Sequence, residues 1–423
     1  MSAVGEALRE LETVVGTDHL ITATQGVSAY AVEGQQPLAV AQPGLEAEVA
    51  GVLRVAAERN LTMLLRGGGK HLYYGAPCGP IGVVVSLARL NEVVEYDADD
   101  LTITVQAGMT LGALQRVVEA HGQMLPLDPP GPEDATIGGL VAMGLAGPLR
   151  MTYGSPRDLV LGLRVALTTG EVIKVGGRTV KNVAGYDLAK LFVGSLGTLG
   201  AITQITLRLV PAPEDRALFA VALSPARARE ATAALLGSRL EIATCDVVTC
   251  RAGIPMPASL TNNPEDVIVF LGVMGAREAV VRQNRELQAA FPEGIARVDD
   301  EVWARVRDVA YPTGDGCLLR LNLPIAKTMD LMELIAARPG WSAAARAGDG
   351  IVYAVGPPDV DVLTAFRSAA EQSGGHAVLE AGPVEVKRAF PVWGATIANT
   401  DLMGELKRSF DPARGLSCGR FVA

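Results

Sequence analysis

Two glycine-dense stretches hold the residues best placed to do chemistry in this sequence. One is Arg66-Gly67-Gly68-Gly69-Lys70-His71. The other runs from Asp128 to Thr203 and contains DPPGPEDATIGGLVAMGLAGPLRMTYGSPRDLV and KNVAGYDLAKLFVGSLGTLGAIT. Glycine leaves no Cβ in the way of an approaching group, and successive amides of a tight turn make a concavity that binds anions. The chemistry this implies is capture of a large dinucleotide, whose pyrophosphate takes many backbone donors. Two familiar phosphate loops are excluded by spacing. The G-x-x-x-x-G-K-[ST] pattern fails because Leu64 stands at its first glycine and His71 follows Lys70. The G-x-G-x-x-G pattern fails because glycines 194, 197 and 200 are wrongly spaced and a strand, not a helix, follows them.

Metal chemistry finds less support. The four histidines (His19, His71, His121, His376) have no ligand spacing, and the five cysteines (Cys78, Cys245, Cys250, Cys317, Cys418) never fall as C-x-x-C. The expectation is free, buried thiols in a reducing compartment and no metal held by this chain. The net charge of −9 argues against nonspecific nucleic-acid binding, which needs a basic face. Hydrophobic residues make up 49% and charged residues 20%, as in a well-packed globule. Residues 1–20 carry four acids and lack an apolar core, and the longest apolar run is broken by glycines. The expectation is a soluble, cytoplasmic protein that meets a membrane only through partners.

The elements that must position these loops follow from periodicity. An amphipathic helix opens after Pro43-Gly44, buries Leu45, Val49, Val52, Leu53 and Ala56, and stops at Asn60. A strand over 62–65 leads into the RGGGKH loop, and Val83–Val85 is a buried strand. Residues 93–105 read as a hairpin, and Thr110 caps a helix that ends at Gly122. Alternation over 161–167, a Thr-Thr-Gly turn and the return through 172–175 predict antiparallel sheet. A further strand, 205–209, ends at Pro211-Ala212-Pro213, a domain boundary. Beyond it strands near 217–223, 267–273, 317–323, 351–356 and 376–380 alternate with helices near 225–236, 276–291, 328–338 and 359–373. The terminal helix 400–410 turns Leu402, Leu406 and Phe410 inward. The fold class is α+β: an N-terminal helix and loop (1–35), a nucleotide-binding domain (36–213), an α+β cap (214–399), and a C-terminal helix and tail (400–423).

RGGGKH, DP…ATIGG, RMTYGSPRDLVLGL, KNVAGYDLAKLFVGSLGTLGAIT and FDPARG…GR occur in an order that resembles the FAD-binding flavoproteins of the vanillyl-alcohol oxidase and p-cresol methylhydroxylase (PCMH) type. VAMGLAGPLR followed by YGSPRD and KNVAGYDL is most similar to the smaller FAD-binding subunit of bacterial glycolate oxidase. The resemblance covers residues 38–212 and the last 20 or so, and implies a two-subdomain FAD-binding domain followed by a cap. It implies that Arg66, Gly67, Gly68, Gly69, Lys70 and His71, with Thr136, Ile137, Gly138 and Gly139, offer amides to the pyrophosphate. Pro129, Tyr153 and Gly154 would line the flavin, Gly200 and Ile202 would meet it through the backbone, and Arg420 would close the site. Lys70 stands where many relatives have the histidine that tethers flavin, which implies noncovalent FAD. Leu196 replaces the glutamate of G-S-E-G, and Arg346 to Ile351 lack the histidines of the catalytic H-x-G-D-G-N-x-H motif.

The resemblance implies an FAD-binding subunit of a 2-hydroxy-acid (glycolate) dehydrogenase. A sister FAD subunit would bind substrate, and an iron–sulfur subunit would take the electrons. The rival readings are a stand-alone FAD oxidoreductase, which needs a cap arginine (Arg320 is the candidate) and a base, and a structural subunit that has lost flavin. Trp303, Trp341 and Trp393 are expected as packing residues, and Lys181-Asn182 and Tyr186-Asp187 as turn formers.

Overall fold

The computed structural model describes the chain except residues 1, 2, 178–186, 250–253, 255–259, 261, 262, 264, 293, 313, 395–398, 418, 422 and 423. The expected turn at Lys181-Asn182 and Tyr186 therefore lies outside the described residues, as do Cys250 and Cys418.

A four-stranded sheet has the order Leu20–Ile21, Ala39–Ala41, Val83–Ser86, Met63–Arg66, the last three strands running parallel. The helix Glu46–Glu58 crosses from one parallel strand to the next. Its start is held by Glu48, whose carboxylate accepts the Gly44 and Leu45 N–H groups at 2.7 and 3.3 Å. Its inward stripe of Val49, Val52, Leu53 and Ala56 is completely buried, whereas the expected Leu45 is 62% exposed. Asn60 ends it with φ of 54°, a left-handed conformation that asparagine tolerates. Met63–Arg66 then points its carboxyl end straight into the RGGGKH loop, the end of a parallel strand at which open α/β sheets place ligands.

A five-stranded antiparallel sheet has the order Val93–Asp97, Thr102–Gln106, Ala201–Arg208, Val160–Ala166, Val172–Gly176. Register puts Ile205 opposite both Val105 and Leu163, so one face is apolar throughout. Against that face pack the helices Leu111–Glu119 and Ile137–Met143. Thr110 caps the first by accepting the Ala113 N–H at 3.2 Å, and Thr136 caps the second.

The remaining chain forms an eight-stranded antiparallel sheet, order Ala296–Val298, Asp215–Leu223, Val267–Gly275, Ile242–Thr249, Ser342–Arg346, Ile351–Gly356, Cys317–Asn322, His376–Ala381. Helices Pro225–Leu236, Arg277–Ala290, Thr328–Ala336 and Val360–Gln372 share one core with one of its faces. Periodicity missed two central strands. Ile242–Thr249 is buried at every position and so does not alternate, and Ser342–Arg346 is mostly alanine, a poor strand former.

The terminal helix Thr400–Phe410 corrects another expectation. Leu402 is 55% exposed, and the buried positions are Gly404 and Lys407. Lys407 Nζ donates to the Thr198 and Leu416 carbonyls at 2.8 and 2.9 Å and to Asp411 at 2.6 Å. A buried ammonium with three acceptors replaces the expected leucine contact. It aims the tail so that Leu416 pairs in parallel with Met63, extending the four-stranded sheet beside the glycine loop.

Candidate functional site

The loop leaving Met63–Arg66, the start of helix Ile137–Met143, the start of strand Ala201–Arg208 and the C-terminal tail line a cleft. Its lining includes Arg66, Gly67, Gly68, Gly69, Lys70, His71, Thr136, Gly138, Gly139, Gly200, Ile202 and Arg420, all expected from sequence. Among the described residues, the N–H groups of Gly67, Gly68, Gly69, Lys70 and His71 meet no acceptor within the protein. Buried or half-buried amides are almost always paired, so five in succession mark a place where an acceptor-rich ligand fits. The opposite wall contributes less than its sequence implies. Ile137 and Gly138 already give their N–H groups to the Met109 and Ala107 carbonyls at 2.8 Å, and Gly139 makes only a long bond (3.4 Å) to Thr136.

Two glycines here tolerate no side chain. A Cβ on Gly68 would stand 2.9 Å from the Asp134 carbonyl, and Gly69 has φ of 75° with the Arg66 guanidinium packed over it. Every charged residue lining the cleft is basic (Arg66, Lys70 and Arg420). Lys70 reaches Asp134 at the rim, 2.6 Å away. His71 is held in the wall. Burial pushes its pKa below the usual histidine value, and Nε2 lies 3.3 Å from the Pro130 carbonyl, so the neutral ring donates there. Tyr311 from the far side stands edge-on to it and donates its hydroxyl to the Lys70 carbonyl at 3.0 Å.

Arg420 closes the cleft through a partner that sequence reasoning missed. Glu33, whose φ is 51°, accepts Arg420 Nη1 at 3.3 Å and Lys387 Nζ at 2.7 Å. Arg420 also donates to the Leu72 and Ala76 carbonyls, and Lys387 to the Tyr73 carbonyl. One buried carboxylate thus joins four distant segments. Nothing local in the sequence around Glu33 marks it.

Comparison with known proteins bears on what the cleft holds. An FAD binding domain family matches residues 37–176. Glycolate oxidase subunit GlcD of Bacillus subtilis is 28% identical over 98% of this chain and 96% of its own length. Glycolate oxidase subunit GlcE of Escherichia coli is 41% identical, over 36% of this chain and 43% of its own length. The fold is that of p-cresol methylhydroxylase, solved with substrate bound, at a TM-score of 0.75 and 15% identity over 99% of this chain and 96% of that one.

Residues 37–176 are an FAD-binding domain, and the chain has the PCMH-type fold.

The free amides suit the FAD diphosphate, the basic lining offsets its charge, and apolar residues such as Leu64, Leu87 and Met143 offer a wall for its rings. Sequence reasoning did not single out Tyr74, Met143 or Gly197, which line the cleft because distant segments meet there. Four expected residues do not line this cleft. Pro129 is buried, and Ile137 is in the core at 1% exposure. Tyr153 directs its hydroxyl to Met274 of the large sheet, 3.6 Å away, and Gly154, with φ of 83°, packs on Asp158.

Beyond Tyr74, Met143 and Leu196 a second chamber opens against the large sheet. Arg320, the sequence candidate for a cap arginine, lines it. Its guanidinium is 3.0 Å from buried Glu380 and donates to the Tyr74 hydroxyl at 3.4 Å. Burial raises the Tyr74 phenol well above its ordinary pKa, so it stays protonated and is not a base at neutral pH. Trp393 packs against Tyr74 and Phe421, as expected, and also lines the chamber. Trp341, by contrast, is core at 1% exposure. Among the described residues no helix is long and apolar enough to cross a membrane.

Proposed function

We propose that this chain is the FAD-binding subunit of a multi-subunit 2-hydroxy-acid (glycolate) dehydrogenase or oxidase. It is an FAD-dependent oxidoreductase, and bound FAD supplies the two-electron acceptor for hydride leaving an alcohol carbon. Residues 36–213 act as the FAD-binding domain, 214–399 as the cap, and 400–423 as the tail that returns to the FAD site. The row of unengaged amides from Gly67 to His71 carries the reading, because only a ligand with several clustered anionic oxygens uses them all. Arg66, Lys70 and Arg420 add charge to that grip, while His71 and Tyr311 hold the loop in shape. With Lys70 ion-paired and His71 donating to Pro130, the cofactor is held noncovalently.

The glycolate assignment rests on relatives named as glycolate oxidase subunits. A sister FAD subunit and an iron–sulfur subunit complete the assembly and accept the electrons, and any membrane contact runs through them. The test is the visible spectrum of the purified chain before and after anaerobic glycolate. Flavin that stays oxidised in the isolated chain and bleaches once partner subunits are added is the expected result. Flavin bleached by glycolate in the isolated chain would favour a stand-alone enzyme. Absence of flavin would overturn the proposal.

A further inference from the structure

Glu33 occupies a turn that glutamate seldom fills. Val32 and Gln35 pair across Glu33 and Gly34, whose φ values are 51° and 80°. Turns with positive φ at both central positions favour Asn, Asp and Gly, so this glutamate is held against its backbone preference. The strain places one carboxylate where three segments meet. Lys387 Nζ of the cap helix Val384–Ala389 and Arg420 Nη1 of the tail donate to its two oxygens. The Cys78 N–H, from the chain beyond the glycine loop, donates to it at 2.9 Å. The cluster does not balance. Lys387 and Arg420 are both 4% exposed and bring two positive charges to that one carboxylate. Burial pushes the Lys387 ammonium below its ordinary pKa. Glu33 opposes this and Arg420 adds to it, so the two cations lie near enough to repel. A buried charge needs a partner of opposite sign. Of the three side chains only Arg420 lines the glycine-loop cleft, so the anion that the cluster lacks is reached through that cleft.

We propose that Glu33, Lys387 and Arg420 form a charge latch that makes cofactor capture and docking of the cap interdependent. The anionic cofactor completes the charge of the cluster, and the cluster ties the cap helix and the tail to the wall of the cleft. Glu33 and Lys387 are positioning residues, since neither lines the cleft and both act through Arg420. Coupling of this kind is reciprocal: the cofactor steadies the cap helix as much as the cap contact tightens the cofactor. The inference rests on the reading of the cleft as the FAD site.

FAD titrated by calorimetry into the full chain stripped of flavin tests the latch. Lys387→Met should weaken FAD by about 10- to 100-fold, within the range of measured site-to-site couplings, although residue 387 is not in the cleft. Lys387→Arg keeps the charge and should restore most of the affinity. Should Lys387→Met not fold, Lys387→Gln carries the same expectation, because it keeps a donor for the Glu33 and Tyr73 oxygens without the charge. In an Arg420→Met background the change at Lys387 should cost little further, since the intermediary is already gone. Losses that multiply instead would make Lys387 a packing residue and overturn the latch. Hydrogen exchange gives the reciprocal readout. FAD should slow exchange of the 384–389 amides in the parent and leave it unchanged in the Lys387 variants. A parent that takes up no FAD sinks the reading of the cleft, and the latch with it. A chain that binds FAD equally well with and without the Lys387 charge sinks the latch alone.

Discussion

The FAD cleft and the arginine chamber lie side by side and share Tyr74, Met143 and Leu196, yet they are built from different parts of the chain. In the reading proposed above, the cleft binds through main chain. Its donors are five consecutive amides, and its few charges are tied to neighbours such as Asp134 and Glu33. The chamber is lined instead by side chains brought from positions 74, 150, 320 and 393, of which Arg150 has no hydrogen-bond or ion-pair partner among the described residues. A cofactor that stays bound is best met by donors fixed in the backbone.

The comparison breaks most severely at Gly68. A valine there would drive its side chain against the Asp134 carbonyl and over the amides, so the Gly68→Val protein should lose essentially all FAD. Because the loop lies on the surface of the core, its apo fold should survive. The flavin-to-protein absorbance ratio and far-ultraviolet circular dichroism check this pair of outcomes. Full flavin content would show that the amides do not hold the diphosphate. The same change at Arg157, which lines the chamber and not the cleft, should leave flavin in place.

The tail wall gives a smaller effect of a different kind. Lys407 is 4% exposed, and replacing it with methionine strands the Asp411 carboxylate, which is completely buried. Breaking one partner of a buried pair costs about 3–5 kcal/mol. Thermal unfolding should therefore shift down clearly, with flavin affinity reduced through Ser417 and Arg420, which the tail delivers to the cleft. A variant with parental unfolding temperature would mean that the tail is held by its pairing with Met63 alone.

What could be read from sequence follows the same division. The RGGGKH loop and the ATIGG helix start are local patterns, and glycine density with Thr136 as a cap states their geometry within a few residues. Helices such as Glu46–Glu58 and strands such as Val160–Ala166 also announce themselves, because one face is apolar and the other is not. Ile242–Thr249 does not, since a strand buried on both faces loses its period, and Lys407 was overlooked because lysine is seldom buried. Glu33 carries no local signal at all, and neither the motif around Arg150 nor the isolated Trp393 announces the cavity it lines. Each matters through groups far away in the chain, such as Lys387 and Arg420 for Glu33, so only the assembled fold reveals it.

The subtlest test concerns the join between the two regions. Asp128 accepts the Leu149 N–H at 3.0 Å and so holds the turn that presents Arg150, while Arg346 and Arg307 act on it only at longer range. Burial raises its carboxyl to about 8, against an ordinary value of 3.8, and the Leu149 hydrogen bond opposes that rise first. Between these values the folded protein keeps a proton that the unfolded chain has released. The folded state binds more protons, so this group's contribution to stability is fully present below pH 4 and is lost as pH climbs towards 8. An amide in place of this carboxyl cannot ionise and keeps an oxygen for the Leu149 N–H. The Asp128→Asn protein should therefore gain on its parent in unfolding temperature as pH rises from 4 to 8, by about 1 °C for each kcal/mol in a chain of this size. Unfolding curves at the two pH values decide it. If the parent is instead the more stable at pH 8, Asp128 is ionised in the fold and held by Arg346, and the join is an ion pair rather than a protonated carboxyl.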